Sequence, residues 1–324
     1  MKKSILIRVD GSSEIGLGHV IRCIALADML RDNFSISFNS MKIPNQFIDL
    51  CLSKGYSFKK LDSDQHFLSL LIGDEIVVLD NYELGTEFQK EVKNTGCKLV
   101  CIDDLHDQEF YADLIINHLP GAQPQDYRAQ EYTNYALGMD YALLRSPFLR
   151  NKKKVKKITS FDSVFICFGG SDIKNLTLKV LRVVESFSQF KKINVVVGHA
   201  YNYIDTLEES TVSDNRISLY RDLDDHEILD LMNQSDLAVV PASGILYEVV
   251  SSNTPVITGK YVDNQKYFLE QFSRLPSVKS AGNFEESLVI KAINEFLSME
   301  NLQSKNYIDG KSPERLRMKF DSLG

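Results

Sequence analysis

The sequence predicts an α/β protein made of two doubly wound, Rossmann-like domains that face each other across a cleft. Short apolar runs alternate with amphipathic helical segments, and the alternation restarts after a lysine-rich stretch at 151–157. The length of 324 residues also fits two domains of about 150 residues each. We expect an N-terminal domain over residues 1–150 and a C-terminal domain over residues 151–324. A return of the last helix to the N-terminal domain is left open.

The first half alternates strand and helix from its beginning. SILIRV is predicted to be a strand, residues 15–31 a helix, and SISFN a second strand before the helical segment NQFIDLCLSKG. EIVVLDNY leads to the helix GTEFQKEVKNTG and then to the strand KLVCIDD. Because these strands are apolar almost throughout, helices must cover both faces of their sheet, which is typical of parallel strands.

The second half repeats the pattern. The strand SVFICFGG precedes the helix NLTLKVLRVVESF, and the strands INVVVG and RISLY follow. The helix DDHEILDLMNQ leads to the strand SDLAVVPA, and GILYEVVSSN leads to PVITGKY; NQKYFLEQF and SPERLRMKFDSLG are predicted to be helical. The five lysines of NKKKVKK form a solvated, self-repelling segment, so we place the domain boundary there.

The composition disfavours several classes of function. A net charge of −7 argues against a general nucleic-acid binder, which needs clustered lysine and arginine. No stretch reaches the roughly 20 apolar residues of a membrane helix, and MKKSILIRVD lacks the features of a signal peptide. We therefore expect a cytoplasmic protein without stable membrane association. The five cysteines form no CxxC pair and lie in apolar surroundings, which favours buried thiols over zinc or redox roles.

Ligands of doubly wound sheets bind at the carboxyl ends of the strands. The loops at those ends are expected to carry the chemistry, and they comprise residues 10–19, 80–84, 103–107, 169–175, 241–248 and 259–265.

The loop DGSSEIGLGH is the most informative of them. Gly16 and Gly18 allow the backbone to turn sharply and to approach a ligand closely. The free N–H groups of the following helix favour an anion. The stretch is not a dinucleotide fingerprint, because Ile21 stands at the third glycine position, and it is not a P-loop. A tight turn without a ligand remains an alternative.

His19 lies where this turn enters the helix. The positive end of a helix disfavours the imidazolium form, and a neutral histidine can act as a general base on water. A bound diphosphate would act in the opposite direction. A histidine that only caps or packs the turn is the alternative.

Glycines and polar residues also follow strands of the second half. Gly169, Gly170 and Ser171 precede a helix and could hold an anion, although Ser171 or Asp172 could instead be only the N-cap. The alternative is helix capping alone.

A third turn, Ala242-Ser243-Gly244, opens the helix that carries Glu248. A carboxylate at that end can accept both hydroxyls of a ribose, and a surface glutamate without that role is the alternative. Asn264 and Gln265 offer amide donors to phosphate or sugar, with capping again the alternative.

Two acidic pairs could suggest a metal site, Asp103-Asp104 and Asp224-Asp225. Neither has a histidine at ligand spacing. We therefore predict no bound metal and no cofactor.

Several motifs together resemble one family in order and spacing: RVDGSSEIGLGHVIRC, LDNYELG, CIDDL, YALLRSPF, FGGSD and SGILYEVVSSNTPVI with DNQ. The chain resembles the UDP-sugar hydrolases of pseudaminic acid biosynthesis and their spore-coat polysaccharide relatives. That resemblance, over about residues 4 to 270, implies the glycosyltransferase B fold, shared with the lipid-linked N-acetylglucosaminyltransferase of peptidoglycan synthesis.

The resemblance implies an inverting, metal-independent hydrolysis of UDP-2,4-diacetamido-2,4,6-trideoxy-β-L-altropyranose, with UDP as the product. The histidine that matches His19 is the expected base. Residues expected on the sugar side or in the opening motif are Asp10, Gly16, Gly18, Arg22 and Tyr82. Residues expected to contact UDP are Gly169, Gly170, Ser171, Gly244, Ile245, Glu248, Asn264 and Gln265.

One segment departs from the family pattern. Ile245 stands where relatives carry a hydroxyl residue, and SSNTP replaces the usual turn that follows. Two other functions therefore stay open. One is a transferase that uses the same UDP-sugar donor, and the other is a UDP-sugar binding protein without catalysis.

Overall fold

The computed structural model describes residues 2–12, 16–151, 157–263, 265–299, 302–303 and 305–324. The chain forms two compact units. Unit 1 comprises Met1–Ser146 together with Asp309–Gly324, and unit 2 comprises Pro147–Ile308. The division expected from the sequence was 1–150 and 151–324.

Unit 1 contains nine strands and five helices among its described residues, with a sixth helix at its border. The strands are β1 Lys3–Val9, β2 Phe34–Ser40, β3 Ser57–Lys60, β4 Ile76–Asp80, β5 Lys98–Ile102, β6 Glu109–Phe110, β7 Leu114–Asn117, β8 Arg128–Ala129 and β9 Asn134–Leu137. The helices are α1 Gly18–Leu30, α2 Asn45–Ser53, α3 Asp64–Leu68, α4 Thr86–Asn94, the border helix α5 Ser146–Leu149, and α12 Ser312–Asp321, besides two 3₁₀ turns at Pro124–Asp126 and Met139–Tyr141.

The main sheet of unit 1 is parallel, in the order β3-β2-β1-β4-β5-β7-β9. The chain leaves β1 toward β2 and β3, and later continues on the other side of β1 with β4 and β5. The strand order therefore reverses between β1 and β4, which is where ligands of such sheets bind. Residues that follow β1 and β4 come close together at that edge.

Helices and loops cover both faces of this sheet. In β4, Ile76 and Val78 contribute to one apolar cluster with α1 and α12, whereas Val77 and Leu79 contribute to the cluster on the opposite face. All four side chains are at most 3% exposed. Burial on both faces explains why the sequence of β4 is a continuous apolar run rather than an alternating one.

Unit 2 repeats the architecture. Its strands are β10 Lys157–Ile158, β11 Ser163–Cys167, β12 Lys192–Val197, β13 Ile217–Arg221, β14 Leu237–Pro241, β15 Val256–Gly259, β16 Val278–Ser280 and β17 Leu302–Gln303. Its helices are α6 Leu176–Glu185, α7 Ile204–Thr211, α8 Asp225–Gln234, α9 Gly244–Ser251, α10 Gln265–Phe272 and α11 Glu286–Leu297. The main sheet is parallel, in the order β13-β12-β11-β14-β15-β16. The order reverses between β11 and β14, so the loops after these two strands meet.

Candidate active site

The turn between β1 and α1 brings His19 to the edge of the unit 1 sheet. Gly16 has a φ of 90° and forms a bridge with Ser12, whose carbonyl accepts its N–H at 2.9 Å. Helix α1 begins at Gly18, and no side chain caps its first turn. His19 therefore lies in the first turn of α1, as the sequence predicts, with its side chain 12% exposed.

Asp80 orients the imidazole of His19. Asp80 ends β4, the neighbour of β1, and its Oδ1 lies 2.6 Å from Nδ1 of His19. A carboxylate can only accept a hydrogen bond, so Nδ1 must carry the proton and donate it to Asp80. In the neutral ring this leaves the lone pair on Nε2, where a general base needs it. The contact between His19 at the start of α1 and Asp80 at the end of β4 thus selects one tautomer of the imidazole.

Arg22 keeps Asp80 ionised. Arg22 lies one turn after His19. Its guanidinium donates from Nε to Oδ2 of Asp80 at 2.7 Å and from Nη2 to Oδ1 at 2.6 Å. Burial opposes ionisation of Asp80, but Arg22 and His19 outweigh it, so the pKa of Asp80 lies well below its usual range. The Asp80 side chain is fully buried. The anion that accepts the His19 proton is therefore permanent near neutral pH.

Asp104 forms the other side of this network. It follows β5, its Oδ2 accepts from Nη1 of Arg22 at 2.5 Å, and it also accepts from the Tyr82 hydroxyl at 2.9 Å. Despite burial, Arg22 and His118 lower the pKa of Asp104. Burial and then the Asp104 charge raise the pKa of Tyr82 well above its usual range. Tyr82 is therefore a neutral donor.

Tyr82 also contacts the candidate base directly. Its ring meets the imidazole of His19 edge to face, with 4.7 Å between ring centroids and 83° between the ring planes. The residue is 38% exposed. Of the sequence-predicted residues in unit 1, His19, Arg22 and Tyr82 thus belong to one connected cluster.

Asp10 is close to this cluster but its carboxylate is fully engaged. Oδ1 accepts from the backbone N–H groups of Met41 and Lys42 at 2.7 and 2.8 Å, and Oδ2 accepts from Arg8 at 2.6 Å and Asn81 at 3.1 Å. Four donors occupy the two oxygens. Asp10 therefore holds together the loops after β1, β2 and β4. Its contact with the sugar stays a prediction.

In unit 2, the loop after β11 has the close approach that glycine permits. Gly169 has a φ of 83°, and a Cβ on Gly198 would lie 2.6 Å from Cα of Gly170. The turns after β11 and β12 are therefore in direct backbone contact, which requires Gly198. A Cβ on Gly169 or Gly170 itself would meet no atom within 4 Å. The Gly169–Gly170 backbone is open on its outer side.

Helix α6 does not follow this loop directly. It begins at Leu176, and its N-cap Asn175 is left-handed, with a φ of 50°. The carboxylate of Asp172 accepts the N–H groups of Leu176 and Thr177 at 2.9 and 2.7 Å. The expectation that the helix after Gly169-Gly170-Ser171 offers free N–H groups to an anion is corrected for these two groups. Asp172 occupies them, although the N-cap residue is Asn175 and neither Ser171 nor Asp172.

The start of α9 is more open. Its N-cap Ser243 makes no side-chain capping bond, and a Cβ on Gly244 would meet nothing within 4 Å. Ile245 follows in the first turn and is partly exposed. Glu248 is 6% exposed, so it is not an ordinary surface glutamate. Since β14 lies beside β11, Gly244 and Gly169 belong to the same edge of the sheet.

The remaining predicted residues follow β15. Gln265 starts α10, and its Oε1 accepts from the N–H of Tyr261 at 3.0 Å. Its amide oxygen therefore closes the turn that precedes α10 and does not cap the helix, because the donor Tyr261 lies before it. Asn264 lies outside the described residues. Within the described ranges, no group of three or more acidic, histidine or cysteine side chains is arranged to hold a metal ion, and no helix is long and apolar enough to cross a membrane.

Sequence reasoning did not single out Asp80, and it considered Asp104 only as a metal ligand. Both residues directly follow or end apolar strands, in VVLD and VCIDD. That position was the available indication, because carboxyl ends of neighbouring parallel strands share one edge. What the sequence did not provide was the strand order that makes β4 and β5 follow β1.

Comparison with known proteins gives distant relatives. No family model matches the chain. An uncharacterized protein of Methanocaldococcus jannaschii is 28% identical over 266 residues, 78% of this chain and 54% of that protein. The UDP-2,4-diacetamido-2,4,6-trideoxy-β-L-altropyranose hydrolase of Campylobacter jejuni is 27% identical over 267 residues, 81% of this chain and 93% of that enzyme. The spore coat polysaccharide biosynthesis protein SpsG of Bacillus subtilis is 23% identical over 270 residues, 82% of this chain and 79% of that protein.

The chain therefore spans about half the length of the archaeal relative and most of the two bacterial ones. Solved structures resemble it along the whole chain. Acinetobacter baumannii MurG has a TM-score of 0.68 at 9% identity, with 99% of this chain and 100% of that chain covered. Staphylococcus aureus MnaA, solved with UDP, has a TM-score of 0.63 at 13% identity, with 100% and 97% covered.

At these identities the structural likeness shows the fold. The predicted α/β class, with two Rossmann-like units of the glycosyltransferase B type, is confirmed. The chain is similar to enzymes that process UDP-sugars, and these include a hydrolase, epimerases and transferases.

Proposed function

We propose that the protein hydrolyses a UDP-linked diacetamido-trideoxy sugar at its anomeric carbon, with inversion, and releases UDP and the free sugar for pseudaminic acid synthesis in the cytoplasm. The observation that carries the proposal is the 2.6 Å contact between His19 Nδ1 and Asp80 Oδ1. It leaves Nε2 as the basic atom of a neutral ring. The 27% identity to the Campylobacter jejuni hydrolase supports the choice of substrate.

The proposed reaction needs one base and one good leaving group. Nε2 of His19 takes a proton from water while the water oxygen forms a bond to the anomeric carbon. The bond from that carbon to the diphosphate oxygen breaks, and its electron pair leaves with UDP. The imidazolium that forms is stabilised by Asp80 through the Nδ1 proton. Because the second pKa of a phosphate is roughly 6, UDP leaves without a strong general acid.

We assign UDP binding to unit 2. Gly169, Gly170 and Ser171, with the open first turn at Gly244 and Ile245, would face the diphosphate, where backbone N–H groups favour an anion. Glu248 would accept the ribose hydroxyls, and Asn264 and Gln265 would contact the sugar-phosphate. The open space above Gly170 and Gly244 supports this assignment. No metal enters the proposed reaction.

A transferase is the second candidate function. The likeness in fold to the UDP-glucosyltransferase of Polygonum tinctorium favours it. An acceptor hydroxyl would then replace water at Nε2 of His19, while the donor site stayed the same. Both reactions use the same base, so the network around His19 alone does not separate them.

The test is to incubate the protein with the UDP-diacetamido sugar and to follow the reaction by proton and phosphorus NMR. We expect stoichiometric UDP and free sugar without any added acceptor, and an inverted anomer as the first product. His19→Ala should abolish release and still bind UDP in calorimetry, while His226→Ala at an exposed position in α8 should change neither. Turnover that requires an acceptor would favour the transferase, and full activity of His19→Ala would exclude His19 as the base.

A further inference from the structure

A second polar cluster in unit 1 lies next to the candidate active site and has no part in the mechanism above. It contains His106 in the loop after β5, the buried Asn117 at the end of β7, and Tyr127 after the first 3₁₀ turn. The rings of His106 and Tyr127 meet edge to face, with centroids 4.6 Å apart. His106 has a φ of 57°, which is uncommon outside glycine. The surrounding structure must hold the residue in that conformation.

Asn117 determines which nitrogen of His106 carries the proton. Oδ1 of Asn117 accepts the backbone N–H of Leu119 at 2.9 Å, so Nδ2 is the donor side of the amide. Nδ2 lies 2.9 Å from Nε2 of His106 and 2.9 Å from the hydroxyl of Tyr127. Nε2 of His106 must therefore accept. The neutral ring carries its proton on Nδ1, and a proton on Nε2 would place two donors against each other.

The same loop fixes Asp104. The backbone N–H of His106 donates to Oδ2 of Asp103 at 2.9 Å, which closes a turn with Asp104 inside it. Oδ1 of Asp104 is buried and has no hydrogen-bond partner among the described residues. Its position therefore depends on the turn and on the contacts of Oδ2 with Arg22 and Tyr82. The turn thus connects His106 to Asp104 along the backbone.

We propose that His106, held by Asn117, is a positioning residue: in its neutral form it fixes the turn that presents Asp104 to Arg22 and Tyr82, and protonation at Nε2 releases that turn. The inference rests on the proposed function for its catalytic consequence, but the hydrogen-bond arrangement can be tested without it.

The charged groups around His106 determine the pH at which its Nε2 is protonated and the turn is released. Burial lowers the pKa of His106, while Asp126 on the 3₁₀ turn, and Asp104 and Asp107 on its own loop, act in the opposite direction. Asp103, whose pKa burial raises to about 6, faces its backbone N–H, and Tyr127 faces the ring. The neutral form of His106 therefore prevails near pH 7, and we expect the turn to be released at acid pH.

Three variants test the proposal. His106→Gln places an amide oxygen where Nε2 lies and does not titrate. His106→Asn suits the left-handed backbone but is too short to reach Asn117. His226→Gln, at an exposed position in the first turn of α8, is the matched control.

The first measurement is histidine NMR with nitrogen-15, in which the His106 signals are assigned by their loss in His106→Gln. We expect the tautomer with the proton on Nδ1 at pH 7, and guanidinium signals of Arg22 that broaden in His106→Asn and not in the control. The tautomer with the proton on Nε2, or unchanged Arg22 signals, would overturn the proposal. This outcome does not depend on whether the protein hydrolyses a UDP-sugar.

The second measurement is kcat against pH. We expect the logarithm of kcat to fall more steeply at acid pH in the unsubstituted protein than in His106→Gln, because only the unsubstituted protein loses the hydrogen bond between His106 and Asn117 on protonation. His106→Asn should lower kcat about 10-fold at pH 7.5, because small misplacements of catalytic groups are costly, with unchanged UDP affinity. Superimposable acid limbs in all variants would overturn the proposal. A total lack of turnover in the unsubstituted protein would instead count against the proposed function.

Discussion

His19 and Asp80, 61 positions apart in the chain, are joined by a 2.6 Å hydrogen bond between Nδ1 and Oδ1. The bond connects the first turn of α1 with the carboxyl end of β4. It selects the tautomer of the candidate base, and Arg22 keeps its acceptor anionic.

Asp80→Asn should remove this selection. The single amide nitrogen of asparagine can take either oxygen position. In the position of Oδ1 it faces Nδ1 and forces the ring proton to Nε2, and in the position of Oδ2 it opposes the Nε donor of Arg22 with a second donor. We expect kcat for UDP release to fall by at least about 100-fold, with calorimetric UDP affinity unchanged. Asp104→Asn is the control, because Asp104 also binds Arg22 but makes no bond to His19; its loss should be smaller. Equal losses of kcat in the two variants would show that the missing negative charge beside Arg22, and not the tautomer of His19, lowers the activity.

Gly244→Ala should separate binding from stability. A Cβ at this position meets no protein atom within 4 Å, so the substitution should leave the free energy of unfolding unchanged or raise it by up to about 1 kcal/mol. If the diphosphate approaches the first turn of α9, the added methyl should weaken UDP binding about 10-fold in calorimetry. Gly85→Ala, at the N-cap of α4 with its nearest contact at 3.7 Å, is the control. Unchanged UDP affinity in Gly244→Ala would remove α9 from the nucleotide site.

Gly198→Ala should displace the loop after β11 through its contact with the backbone of Gly170. Its Cβ would lie 2.6 Å from Cα and 2.9 Å from the carbonyl oxygen of Gly170, so the loop must shift. We expect a lower melting temperature and a UDP affinity reduced by about 10-fold or more. Gly55→Ala in unit 1, where a φ of 83° makes alanine unfavourable, should lower stability without weakening UDP binding. If both variants bind UDP as the unsubstituted protein does, the loop after β11 does not hold the nucleotide.

His118 should make the stability of unit 1 depend on pH. Burial lowers the pKa of His118 to about 4 from 6.5. Between these values the unfolded chain binds a proton that the folded protein does not, so the free energy of unfolding falls as the pH falls from 6.5 to 4, by about 3 kcal/mol. Asp103, with its pKa raised to about 6, contributes the opposite slope over part of this range.

The measurement therefore compares how the free energy of unfolding depends on pH in the unsubstituted protein and in His118→Asn. His118→Asn keeps an acceptor for the N–H of Leu143, which Nδ1 of His118 accepts at 3.0 Å, and it does not titrate. Denaturant unfolding at several pH values between 4 and 7 should show a smaller loss of stability on acidification in His118→Asn than in the unsubstituted protein. Parallel pH profiles would contradict a neutral, buried His118.

The sequence predicted the fold class because burial on both faces leaves a local trace. The apolar run of β4 and the amphipathic face of α1 each follow from a few neighbouring residues. The turn with Gly16 and the position of His19 at the helix start are local as well. These features could be read without any knowledge of the strand order.

The partners of His19 could not be found in that way. Asp80 and Asp104 reach Arg22 only because β4 and β5 follow β1 in the sheet, and many strand orders fit the same apolar runs. The occupation of the first N–H groups of α6 by Asp172 could not be predicted for a different reason. A left-handed Asn175 and the capping carboxylate of Asp172 add a turn that glycine-rich composition alone does not reveal. Side-chain hydrogen bonds of this kind compete with helix formation over a few residues.

The chain passes from unit 1 to unit 2 and back again, with α12 packed beside α1. The ring of Phe320 in α12 lies 6.1 Å from that of Phe34, whose strand partner is Lys3, and Lys3 donates a hydrogen bond to Gly324. Lys3 and Gly324 are therefore neighbours in space. A circular permutation that links them and opens the chain between residues 308 and 309 would make each unit one uninterrupted stretch of polypeptide. Each unit could then be expressed separately, and unit 1 would keep α12.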